Sequence, residues 1–117
     1  MRLYLPATVR ALAVLHEQGR LPVGDDVVVA EGDTEDEEYD ALMAAAETAA
    51  RLAAELEPGE RRRVVVVAEV ADRLPAGIAL AEVVAVHADP DGLPDDGADP
   101  DDDLCWYGTQ EISQLLG

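Results

Sequence analysis

The residue pair best placed for chemistry is His87 and Asp89, which lie two apart at the end of an apolar, β-branched segment. In a β-strand this spacing puts both side chains on one face, where they could hold a metal ion or act together as acid and base. The sequence offers no identifiable third metal ligand. A structural hydrogen bond is therefore the favoured interpretation, and a small enzyme or metal binder centred on His87 and Asp89 is the alternative.

An acidic segment runs from Asp89 to Asp103 and contains eight aspartates, three prolines and two glycines. Its last aspartates match the D-x-D-x-D opening of an EF-hand calcium loop, but the glycine required next is Leu104 and the bidentate glutamate is Gln110. The motif therefore fails at two positions. Because the segment has few apolar residues to bury, residues 89–103 are predicted to form a disordered loop.

Three residues after this loop invite a functional interpretation: Cys105, Trp106 and Tyr107. A catalytic cysteine needs a neighbouring base, and a cysteine next to a leucine and a tryptophan is more typical of apolar packing. Trp106 and Tyr107 are predicted to anchor the C-terminal segment to the sheet, with a partner-binding site as the alternative. No phosphate-binding, nucleophile-elbow or C-x-x-C motif occurs, so we expect no cofactor and no metal.

The charge of the chain limits its partners. Eight arginines and no lysines stand against 26 acidic residues, which gives a formal net charge of -18. So negative a chain repels nucleic acid and anionic membranes, because binding to either depends on basic side chains. A basic protein surface is the partner that this charge favours. The single cysteine and the absence of a signal-peptide pattern indicate a cytoplasmic protein.

The element that must position these residues is the unbroken run Val64 to Ala68, which is mostly β-branched and typical of a central strand. Three arginines, Arg61 to Arg63, precede it. The run does not alternate between apolar and polar residues, so both of its faces are expected to be covered. This arrangement is typical of parallel sheets built from βαβ units.

The remaining pattern predicts alternating strands and helices. Arg2 to Leu5 alternates and is followed by Pro6, a helix extends from the N-cap Thr8 to Gly19, and Val27 to Ala30 forms a second strand. This order predicts a right-handed βαβ unit. A long helix is then predicted from Glu35 to Glu57, with an apolar seam formed by Tyr39, Leu42, Met43, Ala46, Ala49, Ala50, Ala53 and Leu56.

The C-terminal third adds a fourth strand, Val83 to Ala88, which the short preceding loop should pair antiparallel with the central strand. A short helix follows from Thr109 to Leu116. We therefore predict one domain, residues 1–117, of the α/β (α+β type) class. It should have a mostly parallel four-stranded sheet, the long helix packed on it and the short C-terminal helix.

Five blocks of this sequence resemble a family of short, acidic, Ala/Arg-rich actinobacterial proteins of unknown function: MRLYLPAT, EEYDAL, RRRVVVVAEV, VVAVHAD and LCWYGTQE. The blocks span nearly the whole chain. The resemblance implies no activity and no catalytic or binding residue.

Three functional hypotheses follow, and the least favoured is the small enzyme or metal binder centred on His87 and Asp89. The protein is most simply a non-enzymatic interaction or structural module, which could form a homodimer through an edge strand or the alanine-rich helix. Alternatively it is an acidic partner of a basic protein surface, in the extreme a nucleic-acid mimic. The acidic segments Asp33 to Asp40 and Asp89 to Asp103 would add their fields if they lie at the same end of the sheet. At opposite ends, they would more simply keep the protein soluble.

Overall fold

The computed structural model describes residues 1–30, 32, 34–56, 61–71, 73–89 and 104–116. The described part contains three α-helices and two β-sheets. In chain order the elements are β1 (Arg2–Ala7), α1 (Val9–Gln18), β2 (Arg20–Pro22), β3 (Val28–Val29), α2 (Glu35–Ala54), β4 (Val64–Glu69), β5 (Gly77–Ala79), β6 (Val83–Ala88), β7 (Cys105–Tyr107) and α3 (Ile112–Leu116).

The main sheet has five strands in the order β3-β1-β4-β6-β7, and every neighbouring pair is antiparallel. The predicted central strand, β4, lies in the middle. It pairs with β1 from Arg2 opposite Glu69 to Ala7 opposite Val64. On its other side it pairs with β6, which confirms the antiparallel pairing expected from the short connection.

The prediction of a mostly parallel four-stranded sheet is wrong: the sheet is antiparallel and has a fifth strand, β7. The predicted βαβ unit does not form, because β3 pairs antiparallel with β1. The reason is the short strand β2 between α1 and β3, which adds one more reversal of chain direction. β2 instead pairs with β5 in a separate two-stranded sheet. The class of the fold is α+β.

Both faces of β4 are buried, as its apolar run predicts. On one face α2 covers Tyr4, Val65, Val67 and Ala85 with its small residues Ala41, Ala45, Ala46 and Ala49. On the other face α1, α3 and the small sheet pack against the remaining side chains of β1, β4 and β6. The fold therefore has three layers, and the alanines let α2 lie close to the sheet.

The helix ends follow from their capping residues. The Thr8 side chain accepts a hydrogen bond from the Ala11 amide, and Gly19 ends α1 in the left-handed conformation with a φ of 75°. Thr34 caps α2 in the same way by accepting from the Glu37 amide. Four acidic residues in the first turn of α2 complement the positive end of its dipole.

Two further predictions can be compared with the structure. Pro6 does not end β1, because it lies opposite Val65 of β4. The two-residue strand β3 pairs with β1 only at Leu3 and Tyr4. The N–H group that Pro6 lacks is therefore not needed for pairing with β3, and the proline is tolerated. Of the acidic loop predicted at 89–103, residues 90–103 lie outside the described residues, while Asp89 is buried.

Within the described part, no helix combines the length and apolar character needed to cross a membrane.

Candidate functional site

The candidate site is a cleft of about 320 Å³ between α2 and the C-terminal end of strand β6. Its lining comes from three parts of the chain. These residues are Tyr39, Leu42, Met43 and Ala46 of α2, Arg63 and His87 from the sheet, and Leu104 just before β7.

One wall of the cleft is formed by a face of α2. Tyr39, Leu42, Met43 and Ala46 follow the i, i+3, i+4, i+7 pattern and so share one helix face. Ala46 is buried at the sheet, whereas Tyr39 is 54% exposed. The seam predicted from the sequence therefore has two roles, because its N-terminal part lines the cleft and its C-terminal alanines pack in the core.

The opposite wall of the cleft is formed by the main sheet, where the register of the strands positions His87. His87 lies opposite Val65, which belongs to the apolar cluster beneath α2, so the imidazole is on the same face of the sheet. Trp106 lies opposite His87 on β7 and shares this face. Since α2 packs mainly on β1, β3 and β4, it leaves Trp106 61% exposed beside His87, which lines the cleft.

Arg63, which lines the cleft, forms a buried ion pair with Asp89. The Arg63 guanidinium donates from Nε to Oδ2 of Asp89 at 2.9 Å and from Nη2 to Oδ1 at 2.7 Å. The Arg63 amide also donates to Oδ2, at 2.8 Å. Arg63 is 5% exposed and Asp89 is 1% exposed. Both carboxylate oxygens of Asp89 thus bind Arg63, an arrangement that gives Asp89 a structural role.

The two arginines before Arg63 bind backbone carbonyl groups. Arg61 donates from Nε to the carbonyl of Leu56, just after α2, at 2.8 Å. Arg62 donates from Nε to the carbonyl of Asp89 at 2.9 Å and from Nη1 to that of Leu115 in α3 at 3.2 Å. The basic triplet therefore joins the end of α2, the end of β6 and α3, rather than forming a binding surface.

His87 is a titratable residue of the cleft whose pKa is shifted by its surroundings. Burial lowers the pKa of His87 below its ordinary value of 6.5. The imidazole is therefore neutral at pH 7, and Arg63 beside it is neutralised by Asp89. The cleft interior is consequently close to uncharged.

We predict that His87 makes the protein less stable as the pH falls below about 6.5, because the unfolded chain then binds a proton that the folded chain resists. His87→Gln should therefore show a smaller drop in melting temperature between pH 7.5 and 5.5 than the wild type. His16→Gln, on the exposed face of α1, is the matched control. Equal drops in His87→Gln and wild type would contradict the prediction.

The other candidate residues are separated by the structure. Cys105 is exposed, and Tyr107 packs against the main core on the opposite face from Trp106. Among the residues that the structure describes, no group of three or more His, Cys, Asp or Glu side chains is placed to hold a metal ion. The absence of a metal or cofactor stays a prediction.

The acidic segments attach at opposite ends of β4. Arg2 joins Glu38, in the first turn of α2, to Glu69 at the end of β4. Asp89, which precedes the acidic residues 90–103, lies instead beside Arg63 at the start of β4. The cleft lies between these attachments, since its lining includes Tyr39, next to the first turn of α2, and Leu104, directly after the acidic segment.

The described residues thus define an antiparallel α+β protein with a cleft between its long helix and its sheet. The model of a family of unknown function, DUF6912, matches residues 1–116, and the chain belongs to this family. No curated protein and no solved structure shows significant similarity to the chain.

Proposed function

We propose that the protein is a small, non-enzymatic interaction module that binds another protein at the cleft. The observation that carries this proposal is the exposure of two aromatic side chains, Tyr39 in the lining of a mostly apolar cleft and Trp106 on the strand beside its lining residue His87. Aromatic residues supply much of the binding energy in protein interfaces, because they bury a large area for little loss of conformational entropy.

The polar residues near the cleft support binding rather than catalysis. A general base or metal ligand must be accessible, whereas the carboxylate of Asp89 is 1% exposed and both of its oxygens accept hydrogen bonds from Arg63. Asp89 is therefore not available to His87 as the acid–base partner that the sequence suggested. An enzyme or metal binder centred on these two residues is the less favoured function.

The charge supports a basic partner over a second copy of the chain. A homodimer would bring together two molecules of net charge -18, and like-charge repulsion opposes this. A basic protein surface is attracted by this net charge, but the two acidic segments attach at opposite ends of β4, where their charge more simply keeps the protein soluble. The exposed, unpaired Cys105 is suited to a reducing compartment, so the proposed location is the cytoplasm. The sequence blocks that resemble actinobacterial proteins support an origin in that group.

We predict that Trp106→Ala abolishes capture of the partner from a cell extract, because it removes the most exposed aromatic side chain at the cleft. Leu74→Ala is the matched control, since Leu74 is 48% exposed and lies between β4 and β5 rather than beside His87 on β7. The expected result is a basic protein retained by the wild type and by Leu74→Ala but not by Trp106→Ala. Equal capture by all three would contradict binding at the cleft, and a stable dimer in light scattering would favour the homodimer.

A further inference from the structure

We infer that the buried ion pair between Arg63 and Asp89 selects one register of β6 on β4, against a second register that the apolar residues of both strands allow. This role is independent of the proposed function, because it concerns the pairing of two strands and not the binding of a partner. The evidence is a repeat of small apolar residues in the two strands and the position of the ion pair at one end of them.

The apolar residues of β4 and β6 do not specify the register by themselves. In the structure Val66 lies opposite Val86. If β6 moved by two residues, Val84 would take that place. Such a shift keeps every side chain on its face of the sheet, because side chains alternate with a period of two. The residues that would then face Val64 to Val67 are all valine or alanine, in the order Val86, Ala85, Val84 and Val83.

Val84 is the side chain that this second register would bury. The pairing of β4 with β6 shifts beside it, so that Ala85 and Val83 have partners on β4 and Val84 has none. Val84 is 41% exposed, although valine is typical of buried strand positions. In the second register it would replace Val86, which is fully buried. Hydrophobic burial alone therefore does not exclude the shift.

The ion pair forms in one register only. Asp89 directly follows β6, and its amide donates to the carbonyl of Arg63 at 3.1 Å, so the two residues continue the pairing of the strands. Nε and Nη2 of Arg63 donate to the two carboxylate oxygens at 2.9 and 2.7 Å. After the shift His87 would lie opposite Arg63, and a neutral imidazole has a single acceptor nitrogen. The second register would therefore leave a buried guanidinium without a carboxylate, which is strongly unfavourable.

Other polar contacts of β6 contribute less to this selection. Arg62 donates to the backbone carbonyl of Asp89, and such a bond forms with whichever residue occupies the position. At the start of β6 the partly exposed Glu82 accepts a hydrogen bond from the Ala79 amide at 2.8 Å. The shift would break this bond as well. One partly exposed hydrogen bond is weaker than a buried bidentate pair, so the ion pair dominates.

The test replaces both charged residues with apolar ones. Arg63→Met with Asp89→Leu, the apolar variant, should melt within about 10 °C of the wild type, because such replacement of a buried ion pair is often neutral or stabilising. It should nevertheless populate both registers. NMR spectra of the isotope-labelled variant should then show two sets of amide signals for β4 and β6, the weaker at about 10% of the total. Nuclear Overhauser effects assign the sets, since Val66 faces Val86 in one register and Val84 in the other.

Val84→Asp distinguishes the second register from a general loosening of the sheet. Added to the apolar variant, it places a carboxylate at the buried position of Val86 in the second register but leaves it exposed in the native one. The weaker set of signals should therefore decrease at least about tenfold. Val14→Asp, at a valine of α1 that is 37% exposed, is the matched control and should leave both sets unchanged. A weaker set that persists with Val84→Asp would contradict the assigned register.

The control for the apolar variant is Glu47→Leu with Arg51→Met, which removes an exposed ion pair of α2 and should give one set of signals. One set in the apolar variant, with Val66 still facing Val86, would overturn the inference. If the apolar variant does not fold, Asp89→Asn decides, because an amide offers one acceptor oxygen to the guanidinium. Saturation-transfer NMR should then detect the second register at about 1% or more, and its absence would equally overturn the inference.

Discussion

Replacing Val66 with aspartate is expected to prevent folding. Val66 is fully buried at the centre of β4, with Leu5 opposite on β1 and Val86 opposite on β6. An unpaired carboxylate at this position costs more than about 4 kcal/mol, a large part of the stability of about 5–15 kcal/mol that is typical of a single domain. Circular dichroism should show no cooperative thermal unfolding of Val66→Asp.

Val84→Asp is the matched control for this prediction. Val84 also lies in a strand of the main sheet, but it is 41% exposed beside the register shift between β4 and β6. The same substitution there should change the free energy of unfolding by no more than about 1 kcal/mol. A cooperative unfolding transition in Val66→Asp near that of the wild type would show that β4 is not the core of the sheet.

The second large effect is expected at the buried ion pair. Asp89→Ala should destabilise the protein by about 3–5 kcal/mol, because it leaves the Arg63 guanidinium buried and without its carboxylate. The Arg63 amide would lose its acceptor as well. Urea denaturation measures this free energy. Glu47→Ala, which breaks the exposed pair with Arg51 on α2, is the control and should have little effect.

A double-mutant cycle shows whether the effect belongs to the pair. Arg63→Met leaves Asp89 buried without its guanidinium and should also be strongly destabilising. Arg63→Met combined with Asp89→Ala removes both charges, so its cost should be clearly smaller than the sum of the two single costs. Additive costs would mean that the two residues contribute independently, in contradiction to the bidentate geometry.

The sequence contained enough information to predict the covered faces of β4 and its antiparallel pairing with β6, but not the directions of β1 and β3. Val64 to Ala68 is apolar on both faces because helices or a second sheet lie on each side of it. An antiparallel sheet between two layers produces the same pattern as a parallel one. Between α1 and β3 the chain forms β2, a strand of three residues that ends in proline and whose partner β5 lies more than fifty residues later, so β3 does not follow α1 as it would in a βαβ unit. Such a segment has no periodic signal.

The candidate site was only partly predictable for a similar reason. His87, Asp89 and Trp106 are recognisable by residue type, and the apolar seam of α2 by its spacing. Their arrangement depends on the register of β4, β6 and β7, which places His87 between Val65 and Trp106. Likewise, nothing in the Arg61 to Arg63 triplet distinguishes the arginine that pairs with Asp89 from its neighbours. Contacts between distant strands decide these points.

The strand order also has a consequence for how the chain is completed during synthesis. β1 is made first, yet its long partner β4 begins more than fifty residues later, and the core on the α1 side still lacks Ile112 and Leu115. A nascent chain that ends before β4 therefore exposes one edge of β1, which is open to pairing with other chains. The strongly acidic first turn of α2 is made during this interval, and we expect its like-charge repulsion to oppose association between nascent chains before β4 pairs with β1.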